Sequence, residues 1–152
     1  MGRARELTEV PLPPDRAFDL WTDLRRWPAF VDGFGHVSRA DETWPEEGAR
    51  VVWSSRPGGR GTVTERVLSS RHGEELSTEV LDDRMSGAQT VRLTPREDGG
   101  TDVSLELDYT LGAGGPLRGA VDLLFVRRAL TDSLRRTLRR FATEAAEEAG
   151  LD

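Results

Sequence analysis

The stretch Val103-Ser104-Leu105-Glu106-Leu107-Asp108-Tyr109-Thr110 alternates apolar and polar residues without a break. Side chains of a strand point to opposite faces in turn, so Val103, Leu105, Leu107 and Tyr109 share one face and the polar set takes the other. The pattern predicts a strand over 101–110 with one buried and one wet face. Gly112 to Gly115 then reads as a loop, and Pro116 suits the first position of a helix. Leu117, Val121, Leu124, Phe125, Leu130, Leu134, Leu138, Phe141 and Ala145 follow at helical spacing, which predicts one helix running to about Ala149. At ~1.5 Å per residue that helix is roughly 50 Å long. A sheet with one apolar face, followed by a single long helix with an apolar stripe, must bury the two against each other.

Working back from that strand, Gly or Pro signals divide the chain into further strands over 35–42, 48–57, 60–69, 74–82 and 87–96. Such short, regular connections predict an antiparallel meander. Residues 3–10 read as a first strand, stopped by Pro11, Pro13 and Pro14. Ala17, Phe18, Trp21 and Leu24 then mark a short helix. Trp27-Pro28 is expected to interrupt it, because the residue before proline avoids the helical region. A second short helix carries Phe30 and Val31 and ends near Asp32-Gly33. The expectation is an α+β chain: a seven-stranded curved antiparallel sheet wrapped around a long C-terminal helix, with two short helices between strands 1 and 2. No linker or repeat divides it, so residues 1–152 read as one domain.

Composition narrows the chemistry. The 152 residues hold no Cys, Lys, Asn or Ile, so all 21 basic residues are Arg. Thiol nucleophiles, thiolate metal sites and lysine Schiff bases are thereby excluded. His36 and His72 lie far apart, with no ligand set at a metal spacing, so neither a metal nor a cofactor is expected. A net charge of −6 argues against nucleic acid as the partner. No apolar run approaches the ~18 residues of a membrane span, and no secretory leader is visible. A cytoplasmic protein, monomer or homodimer, is expected.

Several segments together carry a resemblance. Pro13-Pro14-Asp15-Arg16-Ala17-Phe18-Asp19-Leu20-Trp21 resembles the opening of the START and Bet v 1-like (SRPBCC) superfamily, in its polyketide cyclase/dehydrase and lipid-transport group. Asp23-Leu24-Arg25-Arg26-Trp27-Pro28-Ala29-Phe30-Val31, Gly48 before Val51 and Trp53, Gly99-Gly100-Thr101-Asp102-Val103, and Val126-Arg127-Arg128-Ala129-Leu130 resemble its later segments in order. The resemblance implies the helix-grip fold. It also implies an internal cavity for a small hydrophobic ligand such as a lipid or polyketide, with a flap formed by the second short helix. Fold alone does not assign chemistry.

Strand phasing supplies the candidate residues. Glu65 falls between Val63 and Val67, Thr78 between Leu76 and Val80, and Gln89 two before Val91. Each is a polar group driven to the apolar face. A buried carboxylate must be paired, protonated or wet, which makes Glu65 the first candidate for ligand recognition or acid–base chemistry. Tyr109, the only Tyr, is the second catalytic candidate, its hydroxyl being able to orient a carbonyl or enol. Trp27, Phe30, Trp53, Leu105 and Leu124 complete the expected ligand lining, in a cavity of at least ~300 Å³. Trp21 is expected in the core and Trp44 in a loop. The Gly58-Gly59-Arg60-Gly61 run lies between strands and reads as a hairpin turn, since a phosphate loop needs a following helix. Arg118, Arg127, Arg128, Arg135, Arg136, Arg139 and Arg140 give the last helix a basic face, suited to a ribosome- or protein-interaction module. Asp132 beside Arg128 and Arg136, and Glu144 beside Arg140, predict solvated ion pairs there instead.

Overall fold

The computed structural model describes residues 2–111 and 120–151, with the side chains of 120–125 left aside. Seven strands, β1 (Gly2–Val10), β2 (Phe34–Ala40), β3 (Arg50–Ser55), β4 (Thr62–Arg71), β5 (Glu75–Leu81), β6 (Met85–Pro95) and β7 (Thr101–Leu111), form one sheet. Its order is β1-β7-β6-β5-β4-β3-β2, every neighbouring pair antiparallel. Between β1 and β2 lie helix α1 (Pro14–Thr22), a 3-10 turn (Leu24–Arg26) and helix α2 (Trp27–Phe30). Helix α3 (Ala120–Gly150) closes the chain. This is the helix-grip arrangement that the alternation of β7 and the stripe of α3 require. The expected helix turns before Ala120, with Leu117 and Arg118, lie outside the described residues.

The phasing of the sheet holds. Val51, Trp53, Val63, Val67, Leu76, Val80, Val91, Leu93, Leu105, Leu107 and Tyr109 are all buried. So are Leu134, Leu138, Phe141 and Ala145 on α3.

The break after α1 sits earlier than Trp27-Pro28. Asp23 turns extended (φ −78, ψ 99) and caps the following turn, its carboxylate accepting from the Arg25 backbone N–H at 3.1 Å. Trp27 remains helical (φ −56, ψ −36) despite the proline after it. A tertiary bond holds it there: its indole N–H donates to the Trp21 carbonyl at 2.9 Å. The Trp44 indole likewise donates to the Thr22 carbonyl at 2.9 Å. Two carbonyls left over at the C-terminal end of α1 are thus satisfied by two tryptophans from outside the helix. Gly33, at φ +71, turns the chain from α2 into β2, in a region that other residues rarely adopt.

Several polar expectations are corrected. Arg136 and Arg140 do not take Asp132 and Glu144 as partners. Both reach across to Asp32, at 3.0 Å and 3.2 Å. Asp132 pairs with Arg135 (3.3 Å), which also holds Glu6 of β1 at 3.1 Å. Glu144 and Glu148 are taken by Arg26, at 2.8 Å and 2.9 Å. Packing α3 against α2 and β1 brings these oppositely charged groups within reach, and of the pairs named only Asp132 with Arg135 stays within the helix. Arg135, Arg136 and Arg140 of the basic face therefore tie the helix to the rest of the protein.

Candidate functional site

The inner face of the sheet, α2 and the middle of α3 enclose a pocket. Its sheet side is Trp53, Glu65, Leu76, Thr78, Val80, Gln89, Val91 and Leu105. Trp21, Trp27, Phe30, Val31, Asp32 and Trp44 form the side toward the short helices, and Ser133, Leu134 and Thr137 come from α3. Of the expected ligand lining, Trp27, Phe30, Trp53, Glu65, Thr78, Gln89 and Leu105 converge here. The side chain of Leu124 lies outside the described residues.

The enclosed volume is about 50 Å³. This corrects the expected cavity of several hundred Å³, the scale of a drug-sized ligand site. The cause is aromatic filling. Trp21 stacks on Phe30 with ring centroids 5.5 Å apart, and Phe141 of α3 meets both rings edge-on at 5.1 Å. Trp27 stands edge-on to Trp44 at 5.8 Å and to Phe34 at 6.2 Å. Trp44 is thus more than the loop residue expected: it is half-buried and forms part of the pocket wall.

Glu65 is the chemical centre of the pocket. It is 6% exposed, and β3 and β5, the strands on either side of β4, supply its partners. The Trp53 indole N–H donates to Oε2 at 2.8 Å, and the Thr78 hydroxyl to Oε1 at 3.1 Å. Burial pushes the carboxyl above the usual carboxylate range. The Trp53 hydrogen bond, the Arg60 charge and the Thr78 hydrogen bond pull the other way without overcoming it.

Arg60 was legible only as a turn residue. The turn after β3 swings it back over the pocket, its guanidinium carbon 5.5 Å from the Trp53 ring centroid. Its Nε donates to Asp82 at 2.8 Å. A cation over the face of an indole is attracted by the ring quadrupole, so Trp53 joins Glu65 and Arg60 in one cluster. No spacing rule could have found this, because the hairpin geometry and the distant Asp82 place the side chain.

Tyr109 lies outside the pocket lining, contrary to expectation. It pairs in register with Gly2 of β1 on one side and Gly87 of β6 on the other. A Cβ on Gly2 would overlap the Tyr109 ring, and one on Gly87 would run into the β7 backbone. The ring covers the space that Gly2 leaves, which is a packing role. His72, expected at the surface, is exposed there and hydrogen-bonded to Asp19 at 2.8 Å, with its ring edge on Phe18. Among the described residues no three His, Asp or Glu side chains converge as a metal site. No described helix is long and apolar enough to cross a membrane.

The sequence profile described as "Polyketide cyclase / dehydrase and lipid transport" matches residues 1–146. The chain belongs to this family. Solved structures agree on the fold of this family member. It is similar to the di-domain ARO/CYC StfQ from the steffimycin biosynthetic pathway, with TM-score 0.78 and 17% identity over 97% of this chain and 51% of that one. It is also similar to a START superfamily protein from Mycobacterium smegmatis, with TM-score 0.73 and 11% identity over 94% and 96% of the two chains. TTHA0849 from Thermus thermophilus gives TM-score 0.71 and 19% identity over 95% and 97%. No protein of curated function matches the chain in sequence.

Proposed function

We propose that this family member binds a small, largely apolar molecule bearing a hydrogen-bond acceptor, in the pocket between sheet, α2 and α3. The observation that carries the reading is the Glu65 carboxyl, buried among aromatic and aliphatic side chains. A buried carboxyl costs stability that an apolar residue would not, so its presence in the pocket wall supports a role toward a guest. Burial pushes it toward its neutral form, in which a carboxyl donates as well as accepts. The indole of Trp53 can only donate, which fixes Oε2 as an acceptor. In the neutral form the proton falls on Oε1, the oxygen to which the Thr78 hydroxyl donates, and from there it can be offered to the acceptor of a ligand. Arg60 gives the same corner a positive charge.

A lipid or polyketide exceeds the volume as folded, so it enters by displacing side chains. We assign that movement to Trp44, which is half-buried at the pocket wall and held by one hydrogen bond to the Thr22 carbonyl and an edge-on contact with Trp27. Native mass spectrometry of the protein purified from its own host tests this reading. A retained small molecule, bound one to one, is the expected result. A bare chain that also takes up no 1-anilinonaphthalene-8-sulfonate or fatty acid would overturn it.

A cyclase- or dehydrase-type enzyme is the second reading, and the same carboxyl favours it. A proton donor held beside a confined chain can assist a condensation or a loss of water. In that case Glu65→Gln abolishes turnover of the retained molecule and leaves its affinity within a few-fold.

A further inference from the structure

β1 is an edge strand, paired only with β7, and its nine residues run in unbroken register. The opposite edge, β2, is interrupted twice by register shifts, between Phe34 and His36 and between Val37 and Arg39. Such bulges blunt an edge against pairing, whereas a long flat edge is a template for another strand. Among the described residues no backbone hydrogen bond joins β1 to anything but β7. Leu7, one residue past the middle of β1, is 65% exposed. Beside it an open groove runs between β1 and α3, floored by Leu138, Ala142 and Ala146.

We propose that this edge is a dimer interface, occupied by β1 of a second copy of the chain running antiparallel about a two-fold axis at Leu7. The charge pattern of the strand selects both the occupant and the register. With Leu7 opposite Leu7, Arg5 of each copy faces Glu9 of the other on the outer side. Glu6 faces Thr8, and Ala4 faces Val10, on the inner side. Opposite charges thus meet twice around a central apolar pair, which is how cross-strand neighbours stabilise a ladder. Shifting the axis to Glu6 keeps Arg3 opposite Glu9 but sets the two Glu6 carboxylates against each other, and shifting it to Thr8 sets Leu7 against Glu9 and leaves no opposite charges facing within the strand. Only even shifts keep both concave faces on one side, so these are the near competitors. A two-fold contact must be self-complementary, and this strand is. Small residues at Ala142 and Ala146 leave room beside the edge for the incoming strand.

Sedimentation velocity on the full chain, between about 5 and 500 μM to span the affinity of a small interface, tests the proposal. A reversible dimer is expected, with Arg5→Glu and Leu7→Lys each weakening it at least tenfold. Both positions are on the outer face, and a circular dichroism melt confirms that each variant is folded. The pair Arg5→Glu/Glu9→Arg in one chain restores association by exchanging the charges. Mixing the Arg5→Glu chain with the Glu9→Arg chain gives a heterodimer stronger than either homodimer. A wild-type chain that stays monomeric over the whole range overturns the proposal. So does a dimer that Arg5→Glu and Leu7→Lys leave unchanged.

Discussion

The indole nitrogen of Trp53 lies 2.8 Å from Oε2 of Glu65, although the register sets Trp53 opposite Val63 and Glu65 opposite Val51. The two are diagonal neighbours on one face of β3 and β4, a distance that only a long side chain spans. Trp53→Phe keeps a ring and removes the donor. It is expected to cost about 2–4 kcal/mol, combining a lost hydrogen bond to a buried carboxyl with lost volume. Urea denaturation measures it. A loss below about 1 kcal/mol would mean that the bond contributes nothing to the fold.

The raised Glu65 carboxyl makes stability depend on pH in a definite sense. A group whose folded pKa lies above its unfolded value stabilises the protein fully below the latter, here 4.5, and that contribution is lost as pH rises through the folded value. In Glu65→Gln the amide oxygen still accepts from Trp53 and the NH2 donates to Thr78. The variant is therefore expected to gain on the wild type as pH rises from 4.5. Denaturation midpoints from pH 4.5 upward through neutrality decide the matter, and parallel profiles for the two proteins would refute it.

Asp32 behaves in the opposite way. Burial raises its carboxyl, but the hydrogen bonds from Arg136 and Ser133 and the charges of Arg136 and Arg140 outweigh burial and hold it below the usual 3.8. Its contribution is present above 3.8 and is lost as pH falls through the lowered value. Asp32→Asn is expected to cost roughly 1–2 kcal/mol at neutral pH, since its Arg partners are half exposed. The cost should vanish in acid. A thermal melt series from neutral pH to below 3.8 would reveal it, and a constant cost would show that shape and not charge is at work.

Trp44→Phe removes the donor to the Thr22 carbonyl and keeps the ring in the pocket wall. It is expected to lower stability by about 1 kcal/mol, as a single net hydrogen bond does. Trp44→Ala removes the wall as well. It is expected to speed uptake of 1-anilinonaphthalene-8-sulfonate several-fold over Trp44→Phe in stopped-flow fluorescence. Equal rates for the two variants would place the way in elsewhere.

The sequence alone determined the sheet, the order of its elements and which face of each strand is buried. The reason is that alternation with period 2 and a stripe with period 3.6 are local properties, and burial rewards both directly. It also determined that Glu65 and Thr78 lie inside, since both follow from the phase of their strands. Tertiary structure decided what those residues meet. Trp53 reaches Glu65 diagonally, and Arg60 arrives from a turn under the control of Asp82. The ring of Tyr109, buried on the inner face, lies over Gly2 of β1 and away from the pocket around Glu65. Arg136 and Arg140 of α3 leave their helical neighbours for Asp32, and Arg135 adds Glu6 to its own. Only packing also fixed the free volume, because the rings of Trp21, Trp27, Phe30, Phe34, Trp44 and Phe141 fill a space that strand phasing leaves open. Most of these contacts join side chains far apart in sequence, and nothing local to either partner encodes the distance between them.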